Sequence, residues 1–500
     1  MKVSDPIMTC AEAAAFEGRL LEGRGAELCA MSRAGEGLAR LLLREFGRML
    51  GDSPEILALA GAGHNGGDAL CAALYLLKAL PRAKLKVFLS SPMASLKPNT
   101  AHFAGLLMRA SGSVRFVGGN AVREGADLVL EGLLGMSFAP PLRAGLAEIV
   151  EAANAAPFRL RASVDIPAGL SEAACGPVFR ADVTYMTGIA KAPLFTSESA
   201  ACAGRLRYVD LGFFDSQVGD PSRGVVSDAA LAPLRALRRA QSDKRAYGHL
   251  FVFAGCARYP GAALMNARAA LRSGVGLVSA FVPESLAPSL AAAEPACIWV
   301  PCPETEDGSL SLESYSLFRS AAGRETAVLA GSGLGDSPEA LALVSEVAKS
   351  CGVPVVLDAD AVRPSILDSL AGKPALITPH AGEFLRVARG VSDADLEDFC
   401  SSRNLACVLK GPVSRVCDGS KIARVCAGGP QLARAGSGDI LAGLAGGLAA
   451  RPDLGLGLFA SACAASLWAG RAAERAFAEA GETAYATSDV FNLLHGALNE

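Results

Sequence analysis

Two glycine-rich segments hold the residues best suited to chemistry. The first is Gly61-Ala62-Gly63-His64-Asn65-Gly66-Gly67-Asp68-Ala69. Its glycines let a backbone turn sharply and let a ligand come close. A helix starting here would offer unpaired amides to a phosphate or pyrophosphate. The polar His64, Asn65 and Asp68 set it apart from a plain GxGxxG dinucleotide loop, and a plainer alternative is a connector with Asp68 as a helix N-cap. The second segment is Ala435-Gly436-Ser437-Gly438-Asp439-Ile440. Glycines before a helix form a nest of N–H groups for the charge on a transferring phosphoryl group. At the mouth of such a nest, Asp439 could take the proton of an accepting hydroxyl. The alternative is an N-capping aspartate on an apolar helix.

Other candidates end short apolar runs. Asp165, in Ser163-Val164-Asp165-Ile166-Pro167-Ala168-Gly169-Leu170, would point from a strand end into the crevice where open α/β sheets bind ligands. Such a carboxylate suits proton transfer, although a turn-initiating aspartate reads the same way. Lys410-Gly411-Pro412-Val413-Ser414 could hold a nucleotide phosphate or the edge of an adenosine. Thr378-Pro379-His380-Ala381-Gly382-Glu383 offers an imidazole and a carboxylate, and residues 330–335 (AGSGLG) make another strand-to-glycine turn. Asp358 and Asp360 could help hold Mg2+ or could cap the helix that follows.

Positioning these groups requires strands and helices in alternation. Residues 11–50 read as helical, followed by strands at EILALAG, KLKVFLS, VRFVG, DLVLEGL and RASVDIP with helices between them. The pattern loosens over 213–245 and restarts with HLFVFAG, LVSAFV, AVLAG, VPVVLDAD, PALITP and LACVLKG. The spacing predicts mostly parallel sheets covered by helices on both faces, in two domains at 1–218 and 222–500.

Composition narrows the function classes. The chain has 500 residues, 51% of them hydrophobic and 19% charged, enough for large cores and unlike a disordered chain. Its net charge is −3 and it has no basic stripe, so nucleic acid is not an expected partner. The 14 cysteines form no CxxC pair and no zinc-ligand spacing, as expected of buried reduced thiols. No signal peptide is expected from the N-terminal residues. The uncharged LGLGLFASACAASLWAG run reads as a buried helix rather than a membrane span. A cytoplasmic location and a homo-oligomer are expected.

In order, GAGHNGGDA, LEGLLGMSF and VDIPAGL resemble the NAD(P)H-hydrate epimerase family over about residues 1–215. The resemblance implies a Rossmann-like three-layer parallel sheet, a potassium ion and racemisation of the hydrated nicotinamide carbon. It implies that His64, Asn65, Gly66, Gly67 and Asp68 hold the dinucleotide with Gly135, and that Asp165 binds near the reacting carbon. Asn65 and Glu131 would meet the potassium ion. Glu131 replaces the family's aspartate and Ala168 its serine ligand, Met136-Ser137 replaces Thr-Gly, and Ser32-Arg33 replaces Glu-Asn.

Residues 240–500 resemble the ribokinase-like superfamily, and within it the nucleotide-dependent NAD(P)H-hydrate dehydratases. The motifs are YPGAALMNARAALRSGVGLVS, AGSGLG, LDADAV, TPHAGEF, LKGPVS and AGSGD. This implies that Ala262, Gly333, His380 and Asp439 contact the hydrated dinucleotide, while Lys410, Gly411, Pro412, Val413, Ser414 and Gly438 contact the nucleotide. SDKRAYGH and PQLAR depart from the family's usual segments. The implied substrates are the hydrates of NADH and NADPH, with ADP as co-substrate and Mg2+. A vitamin-precursor kinase shares the glycine–aspartate site, but such kinases lack the GxGHNGGDA domain.

Overall fold

The computed structural model describes residues 2–110, 112–173, 176–214, 219–370 and 372–499, which form two compact α/β units. In the N-terminal unit the strands lie in the order Val114–Val117, Lys84–Leu89, Glu55–Ala60, Leu128–Gly132, Leu160–Val164, Val183–Thr187, Arg205–Val209, all pairs parallel. The chain runs outward in both directions from Glu55–Ala60, so the order reverses between that strand and Leu128–Gly132. Such a reversal opens a crevice beyond the strand ends, and the loops at 61–63 and 133–135 emerge there. Central strands such as Leu128–Gly132 are buried along their whole length, as a sheet covered on both faces requires.

In the C-terminal unit the order is Ile298–Cys302, Leu277–Pro283, His249–Phe253, Ala327–Ala330, Val355–Leu357, Ala375–Ile377, Ala406–Leu409, again parallel. Ser414–Cys417 and Ile422–Val425 continue it antiparallel, and Arg223–Val226 then pairs parallel with the latter. The order reverses between His249–Phe253 and Ala327–Ala330. The helices Pro260–Arg272 and Ser437–Ala449 pack closely because two helical positions are bare: a side chain on Gly443 would strike the Asn266 carbonyl, and one on Gly447 the Ser273 hydroxyl.

Some expectations are corrected and others are met. The helical stretch over 11–50 is two helices, Cys10–Leu20 and Arg24–Leu50, parted at Gly23, whose φ of 86° no ordinary helix residue adopts. Residues 2–4 join the C-terminal unit: Val3 and Ser4 donate N–H bonds to the Asp220 carboxylate at 2.7 and 3.0 Å. The expected end of the first domain, at 218, lies outside the described residues. The uncharged run forms the helix Leu458–Ala480, with Ser461 to Gly470 buried. Among the described residues no helix is long and apolar enough to cross a membrane.

Candidate functional site

In the N-terminal unit the helix His64–Ala79 begins directly at the first glycine loop, with Gly63 as its N-cap. Asp68 is therefore inside the helix and is not its cap. Gly61 and Gly66 are glycines for a packing reason. A side chain on Gly61 would meet the Leu133 carbonyl oxygen at 1.9 Å, and one on Gly66 would meet the Gly61 carbonyl oxygen at 2.0 Å. The helix start is thus pressed onto the loop after Leu128–Gly132. His64 remains well exposed beside Glu27, with its pKa lowered by partial burial and by Lys97. Asn65 is buried. Its amide donates to the Leu134 carbonyl, while its Oδ1 has no partner, and Gly135 passes close to its Cβ.

Glu131, near the end of the strand Leu128–Gly132, and Ala168, in the loop after Leu160–Val164, are both buried. The Glu131 carboxylate accepts from Leu133 N–H at 2.7 Å, Ser163 Oγ at 2.9 Å and Ala168 N–H at 3.2 Å. Burial raises its pKa to about 7 despite these donors. Both Glu131 oxygens, expected to meet a potassium ion, are thus directed at protein donors. Ala168 supplies no side-chain oxygen.

Asp165 follows the strand Leu160–Val164 with φ of 65°, a conformation an aspartate adopts at local cost. Its N–H is tied to the Tyr185 carbonyl at 2.8 Å. Its carboxylate is in close contact with the Lys191 ammonium and faces the Thr187 N–H and Oγ1 at 3.4 Å. Lys191 is 1% exposed, so this is a buried ion pair, costly to break from either side. Asp68 and Glu17 come into its field. Burial and the Asp165 charge hold Asp68 well above the usual carboxylate range. Burial lifts Glu17 to about 7, with Lys191 opposing. The site therefore combines one charged pair with carboxyl groups inclined to keep a proton.

The C-terminal site gathers at the ends of adjacent parallel strands. Val355–Leu357 leads into Asp358, Ala375–Ile377 into Thr378 to His380, and Ala406–Leu409 into Lys410. Asp358 is buried and accepts from Ser332 Oγ at 3.0 Å, Thr378 Oγ1 at 2.8 Å and Lys410 Nζ at 3.3 Å. Lys410 also lies 3.7 Å from Glu383. Burial opposes its charge, but Asp358, Glu383 and Asp439 outweigh this and raise its pKa. His380 caps a short helix, its Nδ1 accepting from Gly382 and Glu383 N–H at 2.9 and 3.2 Å. That leaves the proton on the exposed Nε2, 3.4 Å from a Glu383 oxygen.

Above these strand ends the helix Ser437–Ala449 starts, with Gly436 as its N-cap at φ 88°. Ser437 turns its hydroxyl back to the Leu432 and Arg434 carbonyls, fixing the turn. The first-turn amides have no acceptor within the helix. Asp439 is the third helical residue and so is not the cap. Lys410 Nζ lies 3.2 Å from where a Gly438 side chain would begin. Burial and the Asp358 charge raise Asp439 to about 6, with Lys410 and a Ser332 hydrogen bond pulling the other way. Ala262 and Gly333 meet at the sheet reversal, where a Cβ on Gly333 would be 2.7 Å from that of Ala262. Gly411 and Pro412 form an exposed turn, and Ser414 Oγ lies 3.4 Å from Gly411 N–H.

Sequence reasoning missed Lys191, Ser332 and Asn266. Asn266 donates to the Asp439 carbonyl at 2.8 Å, tying Pro260–Arg272 to the first turn that carries Asp439. The only signal for Lys191 was a lone charge in the apolar stretch YMTGIAKAPLF.

Comparison with known proteins agrees along the chain. Residues 28–192 match the family model for the YjeF-related protein N-terminus, and residues 250–495 match the NAD(P)H-hydrate dehydratase model. A bifunctional NAD(P)H-hydrate repair enzyme of Gloeobacter violaceus is 34% identical over 84% of this chain and 84% of its own length. One from Mycobacterium tuberculosis is 33% identical over the same shares. A Bacillus subtilis ADP/ATP-dependent NAD(P)H-hydrate dehydratase crystallised with ATP and Mg2+ is 22% identical, with a TM-score of 0.45, covering 55% of this chain and 96% of that one. With both models matched in order along one chain, and relatives above 30% identity spanning both, this protein belongs to the family of bifunctional NAD(P)H-hydrate repair enzymes.

Proposed function

We propose that the chain repairs hydrated NAD(P)H, its N-terminal unit interconverting the R and S hydrates and its C-terminal unit dehydrating the S hydrate with ADP. The observation that carries the reading is Asp439 in the first turn of a glycine-capped helix, with the Lys410 ammonium beside Gly438.

Hydroxide is a poor leaving group. Asp439, raised only to about 6, is mostly ionised at neutral pH and can take the proton of the ring hydroxyl. The hydroxyl oxygen then bonds the terminal phosphorus of ADP, and AMP leaves. Lys410 and the amides around Gly438 would offset the charge on the transferring group. The ring nitrogen's lone pair next expels phosphate, and the adjacent carbon loses a proton to restore the double bond. Lys410–Ser414 would hold the nucleotide, and Ala262, Gly333 and His380 the dinucleotide hydrate.

The donor set fits Mg2+ as an ion arriving with the nucleotide. Among the described residues no three His, Cys, Asp or Glu form a metal cluster. Asp360 accepts one N–H bond, from Gly335 at 2.9 Å, and keeps lone pairs for a phosphate-bound ion that would neutralise developing charge.

In the N-terminal unit, the amides at His64–Asp68 would take the pyrophosphate, and the Asp165–Lys191 pair would face the reacting carbon. The decisive assay follows the reduced-nicotinamide absorbance with mixed-epimer NADH hydrate, Mg2+ and ADP. Full recovery faster than a dehydratase-only control is the expected result. Recovery that stalls at one epimer would reduce the N-terminal unit to a scaffold. No nucleotide-dependent recovery would bring the vitamin-precursor kinase forward.

A further inference from the structure

The loops that the family resemblance assigns to a potassium ion do not suit one in this chain. A monovalent cation needs oxygen lone pairs to replace its water shell. Of the three side chains at this place, Asn65 offers one oxygen, the buried and unpartnered Oδ1. Ala168 offers a methyl group. Glu131, one methylene longer than aspartate, carries its carboxylate onto Leu133 N–H, Ser163 Oγ and Ala168 N–H at 2.7, 2.9 and 3.2 Å. These bonds tie the loop after Leu128–Gly132 to the loop after Leu160–Val164. Both glutamate oxygens are engaged by donors whose positive ends point into this place.

We infer that the N-terminal unit binds no potassium ion, and that Glu131 closes the site by itself as an internal tie between the two loops. The inference goes beyond the epimerase reading and rests on it only where a rate is measured. The place keeps one unpaired acceptor, Asn65 Oδ1, which a water or a substrate hydroxyl can satisfy. Reversing both changes should recreate a cation site: Glu131→Asp shortens the reach and frees the amides, and Ala168→Ser adds an oxygen.

The test compares KCl with choline chloride at equal ionic strength on the full-length protein. Two quantities are read: hydrogen exchange of the segments 131–137 and 163–170, and the epimerisation rate. For the unaltered chain, exchange and rate should be the same in both salts. A168S alone, which keeps the Glu131 bonds, should also be indifferent. The double variant E131D/A168S should exchange several-fold faster in choline chloride and regain protection in KCl. Slower exchange of these segments in KCl for the unaltered chain, or for A168S alone, would overturn the inference. A chain with no epimerase activity would defeat the functional reading while the exchange comparison still decides the ion.

Discussion

Asp439 is held in a compromise that its neighbours define. Its pKa of about 6 exceeds the ordinary 3.8 because burial and Asp358 outweigh Lys410 and Ser332. The folded protein therefore binds this proton more tightly than the unfolded chain does. The carboxylate costs stability as pH rises from about 4 through 6, and the cost is complete above that. Asn at this position should then melt higher at pH 7.5, by the equivalent of ~1–2 kcal/mol, and show no gain near pH 4. The same change should lower nucleotide-dependent dehydration by roughly 100-fold or more. In the unaltered enzyme the rate should rise with pH through about 6 and then level off. Thermal melts at the two pH values, together with a pH–rate profile, check all three. Equal destabilisation at both pH values would make Asp439 a structural residue. Its candidacy was legible because glycine and aspartate interrupt an apolar pattern. Lys191 was not, because it meets Asp165 only through the pairing of Val183–Thr187 with Leu160–Val164.

At the scale of elements, the glycines of the two loops have different reasons to be glycine, and substitutions separate them. A Cβ added at Gly66 would lie 2.0 Å from the Gly61 backbone oxygen, so Gly66→Ala must move the helix His64–Ala79 off its sheet. A loss of ~1–3 kcal/mol is expected, read as a lowered melting temperature. A Cβ added at Gly438 would meet only the tip of Lys410, at 3.2 Å, and a lysine end can swing away. Gly438→Ala should therefore fold normally but bind ADP at least ten-fold more weakly, as calorimetry would show. The sequence marks both loops equally, since a glycine carries no sign of what it avoids. Alternation of strands and helices was readable for the same reason the sheets are parallel: covered strands are continuous apolar runs. The strand Ile298–Cys302 escaped because it holds a proline, which an edge position tolerates, and the Ser414–Cys417 hairpin because arginines break its apolar run. The Glu131 bonds escaped because two of the three come from backbone amides, whose direction depends on loop conformation, and the third from Ser163 on a neighbouring strand.

For the whole molecule, two units with separate cores should lose structure separately. The N-terminal unit contains a buried ion pair outside its site. Glu45 accepts from Arg207 Nε at 2.7 Å and Nη2 at 2.6 Å, and Arg205 stands at 3.4 Å. Both Glu45 and Arg207 are almost fully buried, so Glu45→Ala removes the carboxylate facing a buried guanidinium at a cost of ~3–5 kcal/mol. Glu45 belongs to the N-terminal unit, whereas the strand ends that carry Asp358, His380 and Lys410 belong to the C-terminal one. Heating E45A should give an early transition that abolishes epimerisation and a later one, raised by ADP and Mg2+, at which dehydration is lost. The order was hidden from the sequence for the same reason as the placement of residues 2–4, where the Val3 and Ser4 amides find Asp220 more than two hundred positions away. Ligand stabilisation then assigns each transition to its unit. ADP that shifted both transitions equally would mean that the units fold as one, and a mutation in either half would then lower both activities.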